Sequence, residues 1–162
     1  MKSLSGLFCD CESLEKIPDI SGWNTKNVSD MSYMFNNCSS LENISDLSKW
    51  NTEKVINLSN MFNGCDSLTK LFDFSDWKTN EVNDMSYMFA DCKKLEELLG
   101  LSKWKTDKVL YINNMFQNCS NLRRMSDISN WTLNNAINSD EIFEGFTNFL
   151  ERPNLNIERN DN

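Results

Sequence analysis

The residues best suited to chemistry in this sequence are its six cysteines and a file of aspartates. Cys11, Cys38, Cys65, Cys92 and Cys119 stand 27 residues apart, and Cys9 completes a Cys9-Asp10-Cys11 cluster. Thiolates bind zinc or exchange electrons, so such a ladder invites a metal or redox site. The same spacing suits a column of small buried side chains, because free cysteine is among the most buried residue types. An odd number of ladder cysteines cannot pair off completely, and the buried column is the favoured reading. Cys9 lies outside the column and is expected to be the most reactive thiol. There is no histidine, which excludes a His-dependent triad and a His-ligated zinc site. Asp19, Asp46, Asp73 and Asp127 share a column broken by Gly100. Their carboxylates could gather Ca²⁺ or accept hydrogen bonds from turn amides. Nothing in the sequence gathers two carboxylates into a pocket, and its five glycines make no phosphate-binding loop. No catalytic residue, metal or cofactor is assigned, and the chain is expected not to be an enzyme.

These columns belong to a repeat that runs through the whole chain. The length of 162 residues is a multiple of 27. Trp recurs at 23, 50, 77, 104 and 131, and Phe at 8, 35, 62, 89, 116 and 143. Leu fills 14, 41, 68, 95 and 122, and Thr fills 25, 52, 79 and 106. A fixed period without insertions marks a stack of like units, each burying its apolar face against its neighbours. Hydrophobic residues make up 40 % and charged residues 25 % of the chain, the composition of a folding sequence. The formal net charge of -8 argues against a nucleic-acid partner. No apolar run approaches the ~20 residues that span a bilayer, so membrane insertion is not expected.

Within a unit, Val28 and Met31 read as inward positions of a short strand, repeated as parallel strands from unit to unit. The next column holds Ser5, Ser32, Ser59, Ser86, Asn113 and Asp140, residue types that cap helices. A helix of about two turns is therefore expected from position 32, with Met34, Phe35 and Cys38 on its inner face. Five units are expected over 1–135, followed by a degenerate capping unit over 136–162. In that last unit Phe146 and Phe149 replace Cys and Leu, and Glu158 stands in the Trp column. No polar cap precedes the first unit, so its strand edge is expected to be open to pairing with a partner. The N-terminal residues show no apolar segment of a signal peptide.

The units also resemble a known family. Val28-Ser-Asp-Met-Ser-Tyr-Met-Phe-Asn-Asn-Cys-Ser-Ser-Leu41, then Ile44-Ser-Asp-Leu47-Ser-Lys-Trp50-Asn-Thr52, resembles the BspA-like leucine-rich repeat. The usual repeat of that family is one residue shorter between Leu and Trp. The resemblance implies a right-handed α/β leucine-rich-repeat solenoid, one layer per unit, with parallel short strands and short helices. It also implies surface exposure or secretion, adhesion or partner binding, and no catalysis. An intracellular interaction scaffold with the same fold is the alternative, and a complete chain without a leader would be cytoplasmic.

The recognition surface is expected where outward columns break pattern. Position 18 and its equivalents read Pro18, Ser45, Phe72, Leu99 and Ser126, so adjoining units set Phe72 beside Leu99. A neighbouring column supplies Lys70, Glu97 and Arg124 as a charged rim. An apolar pair rimmed by charge suits a protein partner, unless Phe72 and Leu99 turn inward. Tyr33 and Tyr87 form a second candidate patch on the side assigned to the helices.

Overall fold

The computed structural model describes residues 1–145. Its organising feature is hydrogen bonding between equivalent positions one unit apart. Parallel bridges join Ser3 to Asp30, Asp30 to Asn57, Asn57 to Asp84, Asp84 to Tyr111 and Tyr111 to Asn138. A second parallel ladder joins Lys16 to Asn43 and Lys70 to Glu97. There the pairing lengthens into two strands, β1 (Glu97–Leu98) and β2 (Arg124–Met125), with Glu97 opposite Arg124. Successive units thus lie side by side in register, as the columns of the sequence require.

The segment expected to be helical is instead a run of tight turns, and the described residues contain no α-helix. An α-helix needs each amide to fold back four residues within its own segment. Here the amides of Met31, Tyr33, Phe35 and Asn37 donate to the carbonyls of Asn57, Ser59, Met61 and Asn63 in the next unit, at 2.7–3.0 Å. Within the unit only three-residue turns remain, Asn36 to Tyr33, Cys38 to Phe35 and Leu41 to Cys38. The Ser32 amide is held by the Asp30 carboxylate at 2.9 Å, so position 32 is the end of an Asx turn and not a helix cap. Two positions per unit take left-handed backbone, Tyr33 (φ 56) and Asn37 (φ 58) in the second. Their columns hold Gly6, Asn60 and Asn114, and Asp10, Gly64, Asp91 and Asn118, types that tolerate this conformation. Among the described residues, helical structure is confined to single 3₁₀ turns at Phe74–Asp76 and Leu101–Lys103.

Between the ladders runs one core built from the inward columns. Val28, Met31, Met34, Phe35, Cys38, Leu41, Leu47 and Trp50 are buried, and so are their counterparts in the following units. Phenylalanine rings stack from Phe8 through Phe35, Phe62, Phe89 and Phe116 to Phe143, with centroids 5.4–5.8 Å apart. Each buried indole N–H finds a carbonyl in the preceding unit: Trp50 donates to Ile20, Trp77 to Leu47, Trp104 to Phe74 and Trp131 to Leu101, at 3.0–3.3 Å. The Thr52 hydroxyl donates to the Lys78 carbonyl and accepts from the Lys78 amide, and Thr79 does the same with Lys105. Of the unit expected to cap the chain, Ile142 is buried and Phe143 half-buried. Phe146, Phe149 and Glu158 lie outside the described residues.

Gly100, the break in the aspartate column, lies tightly against the preceding unit. Its backbone is left-handed (φ 86), and a Cβ would fall 2.2 Å from the Ser75 amide nitrogen and 2.3 Å from Asp73 Oδ1. The Leu99 carbonyl accepts the Phe74 amide at 3.0 Å on the same side. Only glycine fits beneath the Asp73–Ser75 turn. Gly64 is tight in a softer way, since its Cβ would meet the Asn37 side-chain oxygen at 2.6 Å.

Two stability experiments follow from this packing. Trp77→Ala should cost about 3–5 kcal/mol in denaturant unfolding. Trp23→Ala should cost clearly less, because Trp23 keeps 37 % of its surface exposed. Gly64→Ala should cost about 1–3 kcal/mol, part of which Asn37→Ala relieves in a double-mutant cycle. Gly100→Ala should cost more, because the obstruction is backbone.

Candidate protein-binding face

The second ladder places the expected charged column as a line of neighbours. Glu97 stands between Lys70 and Arg124, bridged to the first and strand-paired with the second. The Arg124 guanidinium reaches Glu97 Oε2 at 3.0 Å. Two residues further along each unit, Phe72 and Leu99 are both half-buried. Phe72 leans towards the core, with its ring 4.4 Å from Phe74 and 5.5 Å from Trp77. One edge of this apolar pair therefore meets solvent beside the charged line, and the rest is anchored. Over the first two units the same face carries a groove of about 460 Å³ between Lys16, Ile17 and Asp19 on one unit and Asn43, Ile44 and Asp46 on the next.

Tyr33 and Tyr87 lie at equivalent turn positions two units apart. Asn60 occupies the intervening unit, and both tyrosines sit at left-handed turn positions. Tyr33 is exposed and Tyr87 half-buried. An apolar cluster that the sequence reading missed lies on the first ladder. Tyr111 and Ile137 are 40 % and 70 % exposed, and the Ile137 amide donates to the carbonyl of the half-buried Leu110. The signal was present: Ile56, Leu110 and Ile137 interrupt a column that elsewhere holds Lys2, Ser29 and Asn83. Ile17 and Ile44 were missed because their column stays apolar through Leu71, Leu98 and Met125.

The two chemical columns are both committed to structure. Asp19, Asp46, Asp73 and Asp127 each accept the amide of the serine two residues on, at 2.8–2.9 Å. Those amides hold the Asp19 and Asp127 carboxyls below the usual carboxylate range. No three cysteine or acidic side chains converge as a metal site among the described residues. In the cysteine column Cys38, Cys65, Cys92 and Cys119 are buried thiols that donate to the carbonyls of Phe8, Phe35, Phe62 and Phe89, at 3.0–3.1 Å. Burial pushes the thiols of Cys38 and Cys119 up to about 12 and those of Cys65 and Cys92 well upward. Cys9 and Cys11 are both half-buried. Partial burial also raises Cys9, although the Asn36 amide facing its sulfur acts in the opposite direction.

Side-by-side units, ladders of like residues and a continuous core define a repeat protein. Its residues 2–122, and in a second match 41–157, fit the family described as "Mycoplasma protein of unknown function, DUF285". The chain belongs to that family. Among solved structures it is similar to a leucine-rich repeat protein from Bacteroides ovatus ATCC 8483, at 18 % identity and a TM-score of 0.29. That similarity covers 78 % of this chain and 41 % of the other, so the chain spans well under half of that protein's length. No curated protein matches.

The thiol column makes two measurable predictions. Native protein should react with iodoacetamide at Cys9 and Cys11, and the four buried cysteines should react only in denaturant. Raising a thiol's folded pKa above its unfolded value adds stability that is complete below the unfolded value. That stability is lost as pH climbs through the folded value. The melting temperature should therefore fall as pH rises from about 9 towards about 12, and Cys119→Ala should flatten the decline.

Proposed function

We propose that this chain is a right-handed leucine-rich-repeat solenoid of the BspA-like type, serving as a non-catalytic protein-recognition module at the cell surface or outside the cell. The observation that carries the reading is the line Lys70–Glu97–Arg124 with Phe72 and Leu99 alongside. Parallel register fixes these side chains on adjoining units, so a partner would meet a preformed surface and order little on binding. A half-buried apolar pair with a charged margin has the anatomy of a small binding hot spot. Family resemblance supports the surface placement and adhesion. One observation favours the second reading, an intracellular scaffold on the same fold. All six cysteines are unpaired, as is usual where thiols are kept reduced.

Protease shaving of intact source cells separates the two. Peptides of this chain released before lysis would support the surface module, and peptides found only after lysis would support the scaffold. Leu99→Ser combined with Arg124→Glu should weaken partner binding at least about tenfold with little change in melting temperature. Unchanged binding would remove this face from the proposal. Phe72→Ser is a poorer probe, because its contacts with Phe74 and Trp77 tie it to the core.

A further inference from the structure

The second ladder carries a gradient of charge along the stack. Successive units cross this face through residues 12–19, 39–46, 66–73, 93–100 and 120–127. With Asp and Glu counted against Lys and Arg, those segments have net charges of -2, -2, -1, 0 and +1. The order never reverses, and parallel register holds it in space. Lys16 is bridged to Asn43, Lys70 to Glu97, and Glu97 is paired with Arg124. Glu15 and Glu42 towards the acidic end, and Arg123 and Arg124 at the basic end, are all exposed.

Apolar surface is placed along the same line. At the acidic end, Ile17 and Ile44 line the groove of about 460 Å³ together with Asp19 and Asp46. Each of these carboxylates commits Oδ1 to a serine amide, and both residues are exposed. Such a groove suits a lysine or arginine, whose methylenes cover apolar surface while the charge reaches a carboxylate. In the middle stand the half-buried Phe72 and Leu99. At the basic end the Arg124 guanidinium shares Glu97 at 3.0 Å, and Arg123 adjoins it in the chain. Neighbouring strands lie roughly 4.8 Å apart, so five units span about 19 Å. Physiological salt screens charge over ~8 Å, and the two ends therefore act separately. A ligand of one sign is attracted at one end and repelled at the other. A ligand whose own charges are segregated is attracted at both. The span equals about six residues of extended chain.

On the reading that this face binds a protein, we infer that its occupant is a short extended segment of the partner laid along the stack. Basic residues of that segment lie over the first two units, an apolar residue meets Phe72 and Leu99, and acidic residues lie beside Arg123 and Arg124. Fluorescence anisotropy with two labelled hexapeptides, both with blocked termini, tests it. Arg-Arg-Leu-Ser-Glu-Glu segregates its charges, and Arg-Glu-Leu-Ser-Arg-Glu has the same composition with each half neutral. The segregated peptide should bind at least about tenfold more tightly, an advantage that shrinks as salt rises. Glu15→Lys with Glu42→Lys should weaken its binding at least about fivefold, and so should Arg123→Glu with Arg124→Glu, each pair with the parent's melting temperature. Equal affinity for the two peptides overturns the charge-ordered segment, and so does no binding of either up to about 1 mM. A preference that survives both pairs of substitutions overturns its placement on this face. The face itself is judged separately, by Leu99→Ser with Arg124→Glu against the native partner, so the two failures are distinct. If a variant fails to fold, the two peptides on the parent protein still decide.

Discussion

No unit of this chain can satisfy its own buried polar groups. The indole of Trp77 depends on Leu47, the thiol of Cys65 on Phe35, and the hydroxyl of Thr52 on Lys78, each in an adjoining unit. The turn amides depend on the next unit in the same way. A buried donor left without an acceptor costs about 1–3 kcal/mol, so the dependence is strong. It also explains why the period does not drift. A single inserted residue would move every later donor off its acceptor and each ring off the ring beneath it. Stability in such a stack is a sum over junctions, and each junction here combines stacked aromatics with several directed hydrogen bonds.

That dependence divides the residues into two classes. Inward columns and turn positions are held by geometry, including columns that look chemical in the sequence. The aspartates hold serine amides, and the cysteines fill space while donating to carbonyls. Outward positions are free to vary, and Phe72, Leu99, Tyr111 and Ile137 are where the variation becomes apolar. The exposed ion pairs between units, such as Lys93 with Asp66 and Lys108 with Glu81, add little stability in high dielectric. They affect register and surface charge more than the fold.

Spacing alone made the period, the buried columns and parallel neighbours legible. Recurrence at a fixed interval says which residues meet, whatever backbone lies between them. The backbone itself was misread at one place. Ser, Asn and Asp cap helices and also favour turns, and Met34, Phe35 and Cys38 suit one face of a short helix. The evidence against a helix lay in two other columns. Gly6 with Asn60 and Asn114, and Asp10 with Asn37 and Gly64, combine residues whose shared property is tolerance of left-handed backbone. Two such positions four residues apart do not fit within one α-helix. Tyr33 and Tyr87 concealed this signal, because tyrosine is not a residue expected there. Of the candidate site, the line of Lys70, Glu97 and Arg124 was legible, since register follows from period. The inward lean of Phe72 was not, because it depends on the local path around Phe74.

The lateral face and the junctions of the stack differ in what specifies them. A lateral face is specified by side chains at free positions, so it can be altered without cost to the core. A junction is specified mainly by backbone, and a row of carbonyls at fixed spacing is the same for every unit of the repeat. The turn peptides are also aligned. Their dipoles point one way along the stack, so the turn ladder is negative towards its first unit and positive towards its last, by the reasoning that applies to aligned peptides in a helix. The strand ladder does not reinforce it, because there the bonds run the other way, as from the Ser29 amide to the Lys2 carbonyl. Polarity is thus confined to one side of each unit.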